Sequence, residues 1–142
     1  MFMGQAVCTI DEKNRLTIPA KFRAELGESF IITGGFDSCL FVYTAAQWNE
    51  VYPKIKAMDT MKKDVRAFQR YVLSNATQAE LDKQGRVLVP GNLRTLAQLD
   101  KECLTIGSGD RLEIWNKAQW DQYMTQYESG INELAEGLSG LF

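Results

Sequence analysis

The chain has no histidine in its 142 residues. That removes Ser-His-Asp and Cys-His nucleophile systems and every imidazole-based metal site. Cysteine is scarce as well: Cys8, Cys39 and Cys103 are widely spaced and form no CxxC pair. They read as buried or half-buried free thiols in a reducing compartment, since nothing in their spacing suggests zinc or thiol redox chemistry. No apolar run approaches the roughly 18 residues of a membrane span. The opening MFMGQAVCTIDEKN has no basic segment followed by an apolar one, so neither secretion nor membrane insertion is expected. The carboxylate pairs Asp11/Glu12 and Asp100/Glu102 stand among basic residues at turns and read as solvated surface groups. With no nucleophile-base pair, metal cluster or phosphate-cradling glycine loop, the expectation is no cofactor, no small-molecule substrate and no enzyme.

Excess positive charge is also missing, because the formal net charge is -2. Its distribution is uneven. Residues 1–117 carry all 16 Lys and Arg against 14 Asp and Glu, while residues 118–142 carry four acids and no base. A basic patch in the main body is therefore compatible with an acidic whole. Apolar residues at 45% and charged residues at 24% suit a chain with one well-packed core.

Proline is rare, and two of the three prolines close copies of one segment. DEKNRLTIP spans Asp11 to Pro19, and DKQGRVLVP spans Asp82 to Pro90. At an offset of 71, Asp11, Arg15, Pro19 and Arg23 match Asp82, Arg86, Pro90 and Arg94. Farther on, LFVYTAAQW (Leu40 to Trp48) matches LEIWNKAQW (Leu112 to Trp120) at an offset of 72. Two copies with so long a period imply an internal pseudo-dimer rather than a solenoid.

Each copy reads as strand, tight loop, strand. With Asp and Arg bracketing a three-residue loop, Asn14 or Gly85 takes the left-handed position of a type I turn with a G1 bulge. Gly adopts that conformation freely, and Asn tolerates it. Asp and Arg then become cross-strand neighbours, about 5 Å apart at Cβ. The proline suits the first turn of a short helix, PAKFRAELG or PGNLRTLAQL, with Gly27 as a stop for the first. A second hairpin follows in each copy, and Thr44 and Asn116 are placed to cap the next helix. The fold class is α+β, in two units, 1–75 and 76–142, each one copy of the repeat.

The segment LDKQGRVLVPGNLR resembles the AbrB and SpoVT superfamily of swapped-hairpin DNA-binding domains. The duplicated DxxxR pattern resembles the MraZ family of transcriptional regulators. The resemblance implies a duplicated swapped-hairpin β-barrel with pseudo-twofold symmetry, peripheral helices and assembly into a homo-oligomeric ring. It also implies a bacterial, cytoplasmic and nucleoid-associated regulator. The implied target is double-stranded DNA carrying short direct repeats, in the promoter of the division and cell-wall gene cluster. The family's DNA-facing segments correspond here to Asp11, Lys13, Arg15, Asp82, Lys83 and Arg86. The first copy departs from the commoner glycine form at Asn14.

The residues themselves suit such a role. Arg15 and Arg86 fit phosphate or the O6 and N7 edge of guanine, while Asp11 and Asp82 would orient them and Asn14 and Gly85 shape the turns. Lys13 and Lys83 suit phosphate contacts, and Arg23 and Arg94 are further candidates for DNA contact or for structural use. Taken singly, an Asp/Arg pair is a surface ion pair of little energetic weight. The duplication favours DNA. The alternative is an oligomeric scaffold or protein-interaction module that uses these arginines between subunits.

Three other segments carry patterns. Met61, Val65, Phe68 and Val72 form an apolar helical stripe, with Lys62, Arg66 and Arg70 on another face. Pro53 falls inside a helical pattern from Trp48 to Met58 and predicts a kink or break. Trp120, Met124, Tyr127, Ile131, Leu134 and Leu138 alternate spacings of four and three, which suits docking on the core or on another subunit.

Overall fold

The computed structural model describes residues 1–138 and 140. The end of the second expected unit, at 139, 141 and 142, lies outside the described residues. The elements run β1 (Gln5–Thr9), β2 (Arg15–Thr17), α1 (Ala20–Leu26), β3 (Ser29–Gly34), β4 (Leu40–Thr44), α2 (Ala45–Lys56) and α3 (Lys63–Asn75). The second copy of the repeat follows with β5 (Thr77–Glu80), β6 (Arg86–Leu88), α4 (Gly91–Leu96), β7 (Glu102–Gly107), β8 (Leu112–Asn116), α5 (Lys117–Glu128) and α6 (Ile131–Glu136). It is a mixed α+β structure.

Neighbouring strands come from different copies. The six-stranded antiparallel sheet has the order β1-β7-β8-β4-β3-β5, and β2 pairs with β6 in a separate two-stranded ribbon. Exchanging the copies reverses the six-strand order onto itself. In register, Phe41 faces Glu113 and Leu16 faces Val87, each opposite its own repeat partner. The pseudo-twofold axis therefore passes between these pairs. The reading of two strands joined by a tight loop needs one refinement: β1 and β2 share only the bridge Ile10–Leu16 before they part to different neighbours.

Alternation along the strands supplies both faces of the sheet. Phe30, Ile32, Leu40, Val42, Leu112 and Ile114 point to the larger core, where Leu16 and Val87 of the ribbon, Phe22 of α1 and Leu93 of α4 meet them. Phe41, Tyr43, Leu104 and Trp115 point the other way, toward Trp48 and Val51 of α2 and Trp120 and Tyr123 of α5. Thr44 and Asn116 cap α2 and α5, accepting from the N–H groups of Gln47 and Gln119 at 3.1 Å in both cases. Gly27 ends α1 with φ +81°.

Expectations for three helical segments are corrected or sharpened. Helix α2 runs on through Pro53 to Lys56. Buried Ile55 anchors its last turn, and Gln69 donates to the Ile55 carbonyl at 2.7 Å. Met61 stands outside α3 and is 85% exposed, so the apolar stripe consists of Val65, Phe68 and Val72. The reason is a local turn, in which Asp59 accepts from the N–H groups of Met61 and Lys62 and delays the helix start. Lys62 likewise precedes α3, and Arg66 turns back to the carbonyls of Thr60 and Met61. The Lys62/Arg66/Arg70 pattern is therefore not a continuous helical stripe. The C-terminal seam is interrupted at Gly130: Trp120 packs on Trp115, with ring centroids 5.2 Å apart, but Tyr127, Ile131, Leu134 and Leu138 are exposed.

Candidate nucleic-acid interface

The two DxxxR tips have the same construction. Asn14 N–H donates to the Asp11 carbonyl at 3.0 Å, and Asp11 N–H donates to the Arg15 carbonyl at 2.9 Å. Gly85 and Asp82 repeat both bonds at 3.0 and 2.9 Å. The third loop residues have φ +63° at Asn14 and +76° at Gly85, the left-handed values expected from their identity.

One carboxylate organises each tip. Asp11 Oδ1 accepts from the N–H groups of Lys13 and Arg15 at 2.8 and 3.0 Å, while Oδ2 takes Arg15 Nε at 3.0 Å. Asp82 does the same for Gln84, Arg86 and Arg86 Nε, at 2.9, 2.9 and 2.8 Å. These bonds, the arginine backbone N–H first, hold both carboxyls below their ordinary pKa. Each arginine is thereby fixed through Nε, and a guanidinium carries four further N–H donors. Lys13 and Lys83 stand exposed on the loops.

The tips belong to one surface. Asn14 O accepts from Val89 N–H at 3.0 Å, and Gly85 O accepts from Ile18 N–H at 2.9 Å, so each turn is tied to the other copy's strand. Arg86 Nη1 lies 3.9 Å from Asp11 Oδ2. In the β2–β6 ribbon, Leu16 and Val87 face the core. The pleat therefore turns Arg15, Thr17, Arg86 and Leu88 to the opposite face, with Leu88 62% exposed. Thr17 and Leu88 were absent from the residues expected to form the site; the alternation in RLT and RVL is the signal that finds them.

Arg23 and Arg94 hold structural posts. Arg23 Nε donates to the Ile18 carbonyl at 2.7 Å and Arg94 Nε to the Val89 carbonyl at 3.0 Å. Each also borders the other copy's tip: Arg23 shares a cleft with Asp82, Lys83 and Gly85, and Arg94 shares one with Asp11, Glu12 and Asn14. A Cβ on Gly85 would fall on the Arg23 guanidinium. Gly85→Ala should therefore cost roughly 1–2 kcal/mol for the left-handed backbone and also displace Arg23. Asn14→Gly should leave stability nearly unchanged, because that turn already accepts a side chain. Urea unfolding midpoints test the contrast, and an unchanged midpoint for Gly85→Ala would mean that the second turn relaxes freely.

Among the described residues, no group of His, Cys, Asp or Glu side chains could hold a metal ion. Nor is any helix long and apolar enough to cross a membrane. The family model described as "MraZ protein, putative antitoxin-like" matches residues 1–71 and again 72–138. Similar curated proteins include the "Transcriptional regulator MraZ" of Desulforamulus reducens, 49% identical over 141 residues that cover 99% of both chains. The protein of that name from Moorella thermoacetica is 48% identical over 136 residues, covering 96% of this chain and 95% of its own. That from Ligilactobacillus salivarius is 46% identical over 138 residues, covering 97% and 96%. With two family matches spanning nearly its whole length, the chain belongs to the MraZ family.

Proposed function

We propose that this chain is a non-catalytic, sequence-specific DNA-binding regulator of transcription. The observation that carries the reading is the β2–β6 ribbon, which presents two aspartate-held arginines on one solvent-facing surface. The major groove of B-DNA admits a two-stranded ribbon, and arginine is suited to guanine O6 and N7 there. In this reading Arg15 and Arg86 read base edges, Lys13 and Lys83 contact phosphate, and Leu88 offers an apolar contact to a thymine methyl. Arg23 and Arg94 act from behind, by holding the strand ends that carry the tips.

The similar proteins are named transcriptional regulators, which favours the same role here. The strand order favours an AbrB-type swapped-hairpin unit in which 1–75 and 76–142 form one intertwined body. The described pairings stop at β1 and β5, so the closed barrel is a further part of the proposal. The target is a set of short direct repeats in the promoter of the division and cell-wall genes, bound in the cytoplasm on the nucleoid.

One chain neutralises few phosphates, so a lone protomer would bind weakly and lose affinity steeply as salt rises. A homo-oligomeric ring solves this by engaging several repeats at once, where effective concentration multiplies modest affinities. The exposed Tyr127, Ile131, Leu134 and Leu138 supply apolar surface for such assembly. Binding to promoter fragments with one, two and three repeats should therefore strengthen by a factor of ten or more overall, on the order expected for linked sites. Equal affinity for a single repeat would sink the multivalent reading.

A further inference from the structure

The pairing of β1 with β7 sets Cys8 directly opposite Cys103. Flanking bonds define the kind of pair: Ile10 N–H donates to the Lys101 carbonyl at 3.0 Å and Gly107 N–H to the Gly4 carbonyl at 2.8 Å. Alternation makes 8/103 another hydrogen-bonded pair, with Cα atoms about 5.5 Å apart. That lies inside the roughly 4.4–6.8 Å that disulfides span. Both thiols point into the larger core, with residue exposures of 6% and 0%. Cys8 Sγ lies 3.1 Å from Thr105 Oγ1, and Cys103 Sγ donates to the Asp100 carbonyl at 3.2 Å. Cys39 belongs to the opposite apolar cluster. The repeat does not impose the pair, because the other copy has Phe30 facing Ala79 at the corresponding place.

We propose that Cys8 and Cys103 form a reversible cross-strand disulfide, a modification site that responds to peroxide-class oxidants. Contact with Cys103 holds the Cys8 thiol below its ordinary pKa, while the same contact raises that of Cys103. Cys8, the less buried of the two, is the attacking sulfur. Its strand is the edge of the sheet, where local opening admits a small oxidant. The Cys8 thiolate attacks one peroxide oxygen, the O–O bond breaks, and the departing hydroxide takes a proton and leaves as water. Cys103 sulfur then attacks the Cys8 sulfenic acid. The S–S bond forms, the S–O bond breaks, and the second water carries away the Cys103 proton. The two sulfurs together lose two electrons, and the peroxide gains them.

Opposed Cβ atoms in a sheet start farther apart than a disulfide allows, so the strands must close by about 1 Å. A bond made under that strain is easily reduced, as a switch requires. The cross-link sits three residues before Asp11 and has no counterpart in the second copy, so it acts on the first tip alone.

The test is peroxide treatment of the full chain, alkylation of the remaining thiols and peptide mapping by mass spectrometry. Two of the three thiols should be lost, recovered as one intrachain Cys8–Cys103 peptide and restored by dithiothreitol. Cys103→Ala should instead leave a Cys8 sulfenic acid that dimedone traps, and Cys39→Ser should behave as the parent. Unreacted Cys8 and Cys103, their separate conversion to sulfinic acids, or links through Cys39 or between chains would overturn the proposal. The mapping reads the bond itself, so it stands apart from the DNA-binding reading.

Discussion

Arg15→Ala with Arg86→Ala is expected to abolish sequence-specific DNA binding while the protein stays folded and assembled. Each guanidinium is held by its aspartate through Nε and stands only part-buried on the outer face of the ribbon. A well-placed arginine bond to a base is worth about 1–3 kcal/mol, or roughly 5- to 150-fold in affinity. In the proposed ring, removal of both would multiply across every subunit engaged with a repeat. Core-facing Leu16 and Val87 are untouched, so urea unfolding should change little. Lys13→Ala and Lys83→Ala should act differently, weakening all sequences alike and lowering the salt slope by about one for each phosphate no longer neutralised. Salt-titrated binding to cognate and scrambled DNA separates these effects. A folded double arginine variant that bound cognate DNA as tightly as the parent would place the interface elsewhere.

Phe30→Ala should bring the largest loss of stability, about 3–5 kcal/mol. Phe30 is 1% exposed on β3, which lies between β4 of its own copy and β5 of the other. It faces Ala79 across the β3–β5 pair and belongs to the core shared with Val87, Val89 and Leu93. The cavity would open where both copies meet, so the loss should appear in one cooperative transition rather than in one half. Met61→Ala, at a residue 85% exposed, should shift stability by no more than about 0.5 kcal/mol. Urea unfolding at fixed protein concentration checks both. Two separate transitions, with only one moved by Phe30→Ala, would mean that the copies fold independently.

The residues made much of the candidate site legible because its geometry is local. Asp and Arg four apart, with Asn or Gly before the Arg, specify a turn whose bonds lie within five residues, and the structure has those bonds in both copies. The caps at Thr44 and Asn116 were legible for the same reason. Errors arose where a periodic pattern met a competing local bond or a packing contact. Met61 fits the α3 stripe, but the Asp59 turn holds it outside the helix. Pro53 argues against a continuous α2, yet buried Ile55 anchors the turn beyond it. Leu88 and Thr17 are marked only by the alternation of two three-residue strands, whose outward face is fixed once Leu16 and Val87 are seen to be buried.

By itself the sequence determined the duplication, the two turn conformations, the aspartate that holds each arginine and the faces that strands and helices bury. These follow from steric limits on φ and from side-chain periodicity, both of which act over a few residues. Only the tertiary structure decided that β1 joins β7, β5 joins β3, and β2 and β6 form a ribbon of their own. Backbone N–H and C=O groups along a strand edge are alike whatever the side chains, so an alternating pattern says which face is buried and not which strand lies alongside. The choice belongs to the assembly that buries both inner faces at once. In this chain that assembly brings two tips, 71 residues apart in sequence, onto one surface and sets Cys8 opposite Cys103.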